Sequence, residues 1–103
     1  MDWIVEATRC LDGMLPKGSR MIVFGSQARG DADAGSDLDL LVIEPDVSDR
    51  HAEIVRLSTL LGQSLIPADV VVMSADAFER QKLITNTLAW RAASEGKVHE
   101  FAA

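Results

Sequence analysis

The stretch "VFGSQARGDADAGSDLDLLVIE", Val23 to Glu44, opens and closes as β-strand but holds three glycines and four aspartates between. Its first residues continue an apolar run from Met21 to Phe24, long enough for a buried strand and too short for a helix. Gly25 to Ser36 is rich in glycine and small polar residues, which marks a turn or a single helical turn. From Asp37 to Ile43 the residues alternate, with Asp37, Asp39, Leu41 and Ile43 on one face and Leu38, Leu40 and Val42 on the other. Apolar residues on both faces predict an internal strand covered from both sides. Two carboxylates in such a strand are costly to bury, and their presence calls for a chemical reason.

The flanking sequence supplies the rest of the domain. Trp3, Ile4, Ala7, Cys10, Leu11, Met14 and Leu15 recur at three- and four-residue spacing, the pattern of an amphipathic helix that Pro16, Lys17 and Gly18 end. After Pro45, the capping residues Ser48 and Asp49 precede a second amphipathic pattern from Ile54 to Leu65. Pro67 breaks it, and Ala68 to Met73 reads as a third buried strand with Asp69 near its start. Asp76 and Glu79 have the spacing of a capping box and predict one helix running to about Glu95, capped by Gly96. Lys97 to Phe101 has room for a short edge strand. The order predicts one α/β domain over residues 1–103, a small mixed sheet packed with helices.

Composition narrows the function. The chain has 103 residues, 48% hydrophobic and 25% charged, which suits one globular domain and leaves no room for an elaborate acceptor domain. Sixteen acidic residues against ten basic ones give a net charge of −6, so free nucleic acid is not an expected partner. A single cysteine, Cys10, forms no internal disulfide and fits a reducing compartment as a small core residue. The first residues lack a basic start and a long apolar run, and no stretch approaches the roughly 20 apolar residues of a membrane span. A cytoplasmic protein with no membrane partner is expected.

The carboxylates then find their reason. Residues two apart on a strand point to the same side, roughly 6 to 7 Å apart at about 3.3 Å per residue. Asp37 and Asp39 would therefore repel each other unless cations sit between them. Hard carboxylate oxygens at this spacing suit a pair of Mg²⁺ ions, and Asp69 on a neighbouring strand is the third donor. Read singly, Asp37 is also a cap and Asp39 a partner for Arg29. Gly25 lets a phosphate approach the backbone closely, and Ser26 offers a hydroxyl and N–H groups at the positive end of a helical turn. Gly-Ser, ten residues, then Asp-x-Asp is far more specific than any of these alone.

The segment "GSQARGDADAGSDLDLLV" resembles the signature of the nucleotidyltransferase superfamily that includes DNA polymerase β and kanamycin nucleotidyltransferase. With the strand of Asp69 the resemblance spans most of the chain, and the lack of further domains makes it most similar to the minimal nucleotidyltransferases, the MNT proteins. The resemblance implies a polymerase β palm-like fold. It implies that Gly25 and Ser26 bind the tail of a nucleoside triphosphate, that Asp37 and Asp39 ligate both Mg²⁺ ions, and that Asp69 ligates the catalytic one and acts as, or orients, the base. Arg29 matches a common family position, where it contacts phosphate or braces the acidic loop. The implied activity is transfer of NMP, AMP from ATP, to a hydroxyl. The implied acceptor is a partner protein, a HEPN-type ribonuclease toxin with which this antitoxin forms a hetero-oligomer. A binding module that neutralises such a toxin by occlusion alone is the other reading, and the complete acidic triad speaks against it.

Other residues read as ordinary. Asp31 and Asp33 suit a solvated acidic turn, His51 and His99 surface positions, and Met14, Met21 and Met73 core filling. Trp3 and Trp90 read as packing residues, and Lys82 and Arg91 as the basic contacts available to a partner or phosphate.

Overall fold

The computed structural model describes residues 2–25 and 37–101. Helix α1 (Trp3–Leu11) begins at Asp2, whose carboxylate accepts the Ile4 and Val5 N–H groups. It stops earlier than the apolar spacing predicts, because Asp12 turns extended and Gly13 takes a left-handed φ of +80°. Leu15 still packs on the core, whereas Met14 is left half exposed and is not core filling. Cys10 is partly buried, with its thiol toward the Leu60 carbonyl at 3.5 Å.

Strands β1 (Arg20–Phe24) and β2 (Leu38–Glu44) pair antiparallel, and helix α2 (Arg50–Gln63) carries the chain from β2 to β3 (Ala68–Ser74), which pairs parallel to β2. Asp49 caps α2 by accepting the Ala52 N–H at 3.0 Å. The predicted single helix after β3 is instead two, α3 (Ala75–Gln81) and α4 (Leu88–Glu95). Ser74, not the Asp76 and Glu79 pair, caps α3 through the Ala77 N–H, and Glu79 bonds Lys82 at 2.6 Å. Thr87 starts α4 afresh: its hydroxyl accepts the Trp90 N–H, and Asn86 ahead of it sits at φ +72°. The chain then forms the expected edge strand β4 (Lys97–Glu100), antiparallel to β1.

The sheet order is β3-β2-β1-β4. The alternation read from β2 holds. Leu38, Leu40 and Val42 bury on the face covered by Ala7 and Leu11 of α1 and Leu57 and Leu61 of α2, while Leu41 and Ile43 bury against Phe78, Ala89 and Ala92 of α3 and α4. The result is a three-layer α/β domain with a mixed sheet in the middle. Each fully buried Leu or Ile contributes about 1.5–3 kcal/mol of transfer free energy, which is why β2, buried on both sides, anchors the fold. Among the described residues, no helix is long and apolar enough to cross a membrane.

Candidate functional site

Three strand ends meet at one edge of the sheet: the end of β1, the start of β2 and the start of β3. Register fixes what lies there. Phe24 is opposite Asp39, and Asp39 is opposite Asp69. Neighbouring strands lie about 4.8 Å apart, so Asp39 and Asp69 stand side by side. Strand parity puts both on the α3/α4 face, in line with Leu41 and Ile43 on β2 and with Val71 and Met73 on β3. Asp39 is half buried and Asp69 exposed.

Asp37 differs from its expected place. The first rung of β2 is made by Leu38, whose N–H donates to the Pro67 carbonyl at 2.9 Å, so Asp37 is exposed one residue ahead of the ladder. Its backbone nonetheless enters the same edge.

Gly25 follows β1 with a left-handed φ of +74°. A Cβ there would collide with the carboxylate of Asp39. Two independent constraints, conformation and space, thus require glycine, and the space it leaves belongs to a functional side chain. The Gly25 N–H donates to Glu95 Oε1 at 3.2 Å, which brings the end of α4 to the same edge. Arg91, one turn earlier, lies 3.9 Å from the Glu95 carboxylate, with its guanidinium 5.9 Å from the Phe24 ring centroid. Sequence reasoning noted Arg91 as a basic contact but missed Glu95. The bond from Gly25 to Glu95 joins positions 70 apart, and no local pattern announces it. Lys82, the other basic residue singled out, is engaged by Glu79. His51 and His99 are exposed as expected, His99 edge-on to Phe101 at 4.8 Å. Ser26 and Arg29, and with them Asp31 and Asp33, lie outside the described residues.

The donor set at this edge is carboxylate oxygen, the chemistry that hard divalent cations take, and glycine at 25 leaves the Asp39 carboxylate the room that a Cβ would take. The residues fit such a cation in kind. They do not form a finished cage: among the described residues, no three or more His, Cys, Asp or Glu side chains are gathered closely enough to hold a metal ion.

The family model for the nucleotidyltransferase domain matches residues 2–91. The chain belongs to that family. A comparison with curated proteins finds no match. Among solved structures, this nucleotidyltransferase domain is similar to a candidate nucleotidyltransferase from Sulfolobus solfataricus, with 21% identity, a TM-score of 0.58, and 76% of this chain and 69% of that one covered. It is similar to a toxin–antitoxin structure with AMP-PNP, with 22% identity, a TM-score of 0.55 and coverage of 94% and 69%. A double Asp-to-Glu mutant of the toxin–antitoxin pair MntA-HpeT gives 20% identity, a TM-score of 0.57 and coverage of 92% and 68%. At these identities the likeness establishes a shared fold.

Proposed function

We propose that this nucleotidyltransferase domain transfers AMP from ATP to a hydroxyl of a partner protein in a Mg²⁺-dependent reaction, and that it is the antitoxin of a HEPN-type ribonuclease toxin. The observation that carries this reading is Asp39 in register with Asp69 and packed against Gly25, at the edge that Asp37 enters. Gly25 and Ser26 receive the triphosphate, and Arg29 contacts a phosphate or braces the loop. Asp37, Asp39 and Asp69 hold two Mg²⁺ ions, which when bound neutralise charge on the triphosphate and on the departing pyrophosphate. Asp69, the most open of the paired carboxylates, takes or directs the proton of the attacking hydroxyl. The hydroxyl oxygen bonds to the α-phosphorus, the bond from that phosphorus to the bridging oxygen breaks, and pyrophosphate leaves.

The toxin–antitoxin setting is supported by the two similar folds described as toxin–antitoxin structures, one of them with AMP-PNP. A net charge of −6 also suits a basic, RNA-binding partner. A second reading is neutralisation by occlusion without transfer, for which the same acidic balance against a basic partner suffices.

Intact mass spectrometry separates the two. The chain, its partner, MgCl₂ and ATP are incubated beside an Asp37→Ala/Asp39→Ala control. A gain of one or more AMP units on the partner, absent in the control, is the expected result. A tight complex with no mass gain would refute transfer to that partner and leave occlusion.

A further inference from the structure

The end of α4 is pressed onto β1. Gly96 closes the helix with its N–H on the Ala92 carbonyl at 2.8 Å, and a Cβ there would run into the Ile22 side chain and the Ala92 and Val23 carbonyls. Glycine alone lets the helix end lie so close, and Lys97 pairs with Val23 immediately afterwards. Glu95 is thereby set beside Gly25 by the packing of Gly96 and by the β1–β4 ladder that follows it. Its carboxylate accepts the Gly25 N–H, and Arg91 stands next to it as countercharge.

A backbone N–H presented by a left-handed glycine directly after a strand is a donor suited to an anion. Here the chain's own carboxylate occupies it. We propose that Glu95 is an intramolecular stand-in for a phosphate of the nucleoside triphosphate, one that the incoming nucleotide displaces from the Gly25 N–H. The inference rests on the reading of Gly25 as part of the triphosphate site. One N–H cannot serve two anions at full strength, and an anion bound beside Glu95 is also repelled by it. Asp39 is a second carboxylate packed against Gly25. Glu95 thus raises the nucleotide concentration at which the site fills. Arg91, half exposed, stays at the same place and is freed to meet the phosphate when Glu95 withdraws.

The test is the dissociation constant of AMP-PNP with MgCl₂, measured by calorimetry on the full chain and on Glu95→Ala and Glu95→Gln, with a thermal melt of each. Displacement predicts about tenfold tighter binding for Glu95→Ala. Glu95→Gln, which keeps an acceptor and loses the charge, falls between. If Glu95 merely braces the turn, Glu95→Ala binds more weakly and Glu95→Gln like the parent, and the inference is overturned. Equal affinities in all three overturn it as well. If Glu95→Ala does not fold, Glu95→Gln decides alone: about threefold tighter binding supports displacement, and unchanged or weaker binding refutes it. When the parent binds AMP-PNP and no variant binds it more tightly, the inference alone falls. When parent and folded variants all fail to bind, the reading of the triphosphate site falls with it.

Discussion

Strand β2 carries a carboxylate near each end, on opposite faces of the sheet, and the two are stabilised in different ways. Asp39, near its start, is half buried, with Asp69 beside it in register and a glycine keeping room for its oxygens. Glu44, at its end, is 3% exposed under α2, and its Oε2 has no hydrogen-bond partner among the described residues. Burial, and then the neighbouring Glu53, push the Glu44 carboxyl up to about 7. Glu53 is itself held down at about 2, chiefly by its bonds to Arg56, Nε and Nη2 both at 2.7 Å. At one end the sheet keeps carboxylates accessible to an outside countercharge; at the other it neutralises one with a proton and a neighbouring ion pair. Only the first arrangement stands at an open edge of the sheet, where Asp37 and Asp69 are exposed.

The comparison breaks most visibly at Asp39. Asp39→Ala is expected to lower AMP transfer by at least about 10²–10³-fold, the loss seen when one preorganised charge-stabilising group is removed. The same change relieves repulsion with Asp69 while giving up the contacts Asp39 makes, so the melting temperature should move by only a few degrees. A melting temperature that falls by several degrees would make Asp39 a structural residue and undo the contrast.

Gly25 sharpens the same contrast from the backbone side. Gly25→Ala forces a side chain into φ +74° and into the Asp39 carboxylate, at a cost of about 2–4 kcal/mol in stability. In denaturant titrations the double variant Gly25→Ala/Asp39→Ala should recover part of that loss, since the collision is gone and the left-handed backbone remains. Strict additivity of the two single changes would show that the carboxylate and the glycine do not interact.

At the other end, pH is the probe. Unfolded, Glu44 releases its proton near 4.5; folded, it holds it to about 7. Its contribution to stability is therefore fully present below pH 4.5 and is lost as pH rises through 7. Glu53 runs the opposite way: its contribution is present above pH 4.5 and is lost as pH falls through about 2. Stability from the pair should peak near pH 4.5. Glu44→Gln should abolish the decline between pH 5 and 8 and leave the variant on the order of 2 kcal/mol more stable than the parent at pH 8. A parent whose denaturation midpoint is flat across that range would remove the distinction between the two ends.

How far these features can be read in the chain depends on how local they are. The two faces of β2, the cap at Asp49 and the place of Asp69 follow from side-chain period and capping chemistry, and the structure keeps them. The division between α3 and α4 does not announce itself: Lys82 to Thr87 holds neither glycine nor proline, and the break is made by the Thr87 hydroxyl and a left-handed Asn86. Asp37 reads as strand, yet the ladder begins one residue later because its first partner is the Pro67 carbonyl. The burial of Glu44 and the approach of Glu95 to Gly25 are set by how α2 and α4 lie on the sheet, which no spacing within either segment specifies.

The smallest expected effect separates stability from chemistry. After α2, the Ile66 N–H bonds the Leu61 carbonyl at 2.9 Å and the Leu65 N–H bonds the Gly62 carbonyl at 3.0 Å, the paired closure of a Schellman motif. The residue that must be left-handed for this closure is Leu65, at φ 58° and 82% exposed, where glycine is usual. Leu65→Gly removes the strain of a side chain in that conformation and gives up some restriction of the unfolded chain, for a net gain of about 0.5–1 kcal/mol. Denaturant titrations should show the higher midpoint at every pH with the Glu44 dependence unchanged in shape, since Glu53 and Arg56 lie at least two turns away along α2. AMP transfer should change little, because the Leu65 side chain points to solvent and the bonds that close the helix end involve none of Gly25, Asp39 and Asp69. A change in transfer rate would mean that the turn from Leu65 to Pro67, which leads straight into Asp69 on β3, helps to set the site, and stability and chemistry would then not be separate at this end of the sheet.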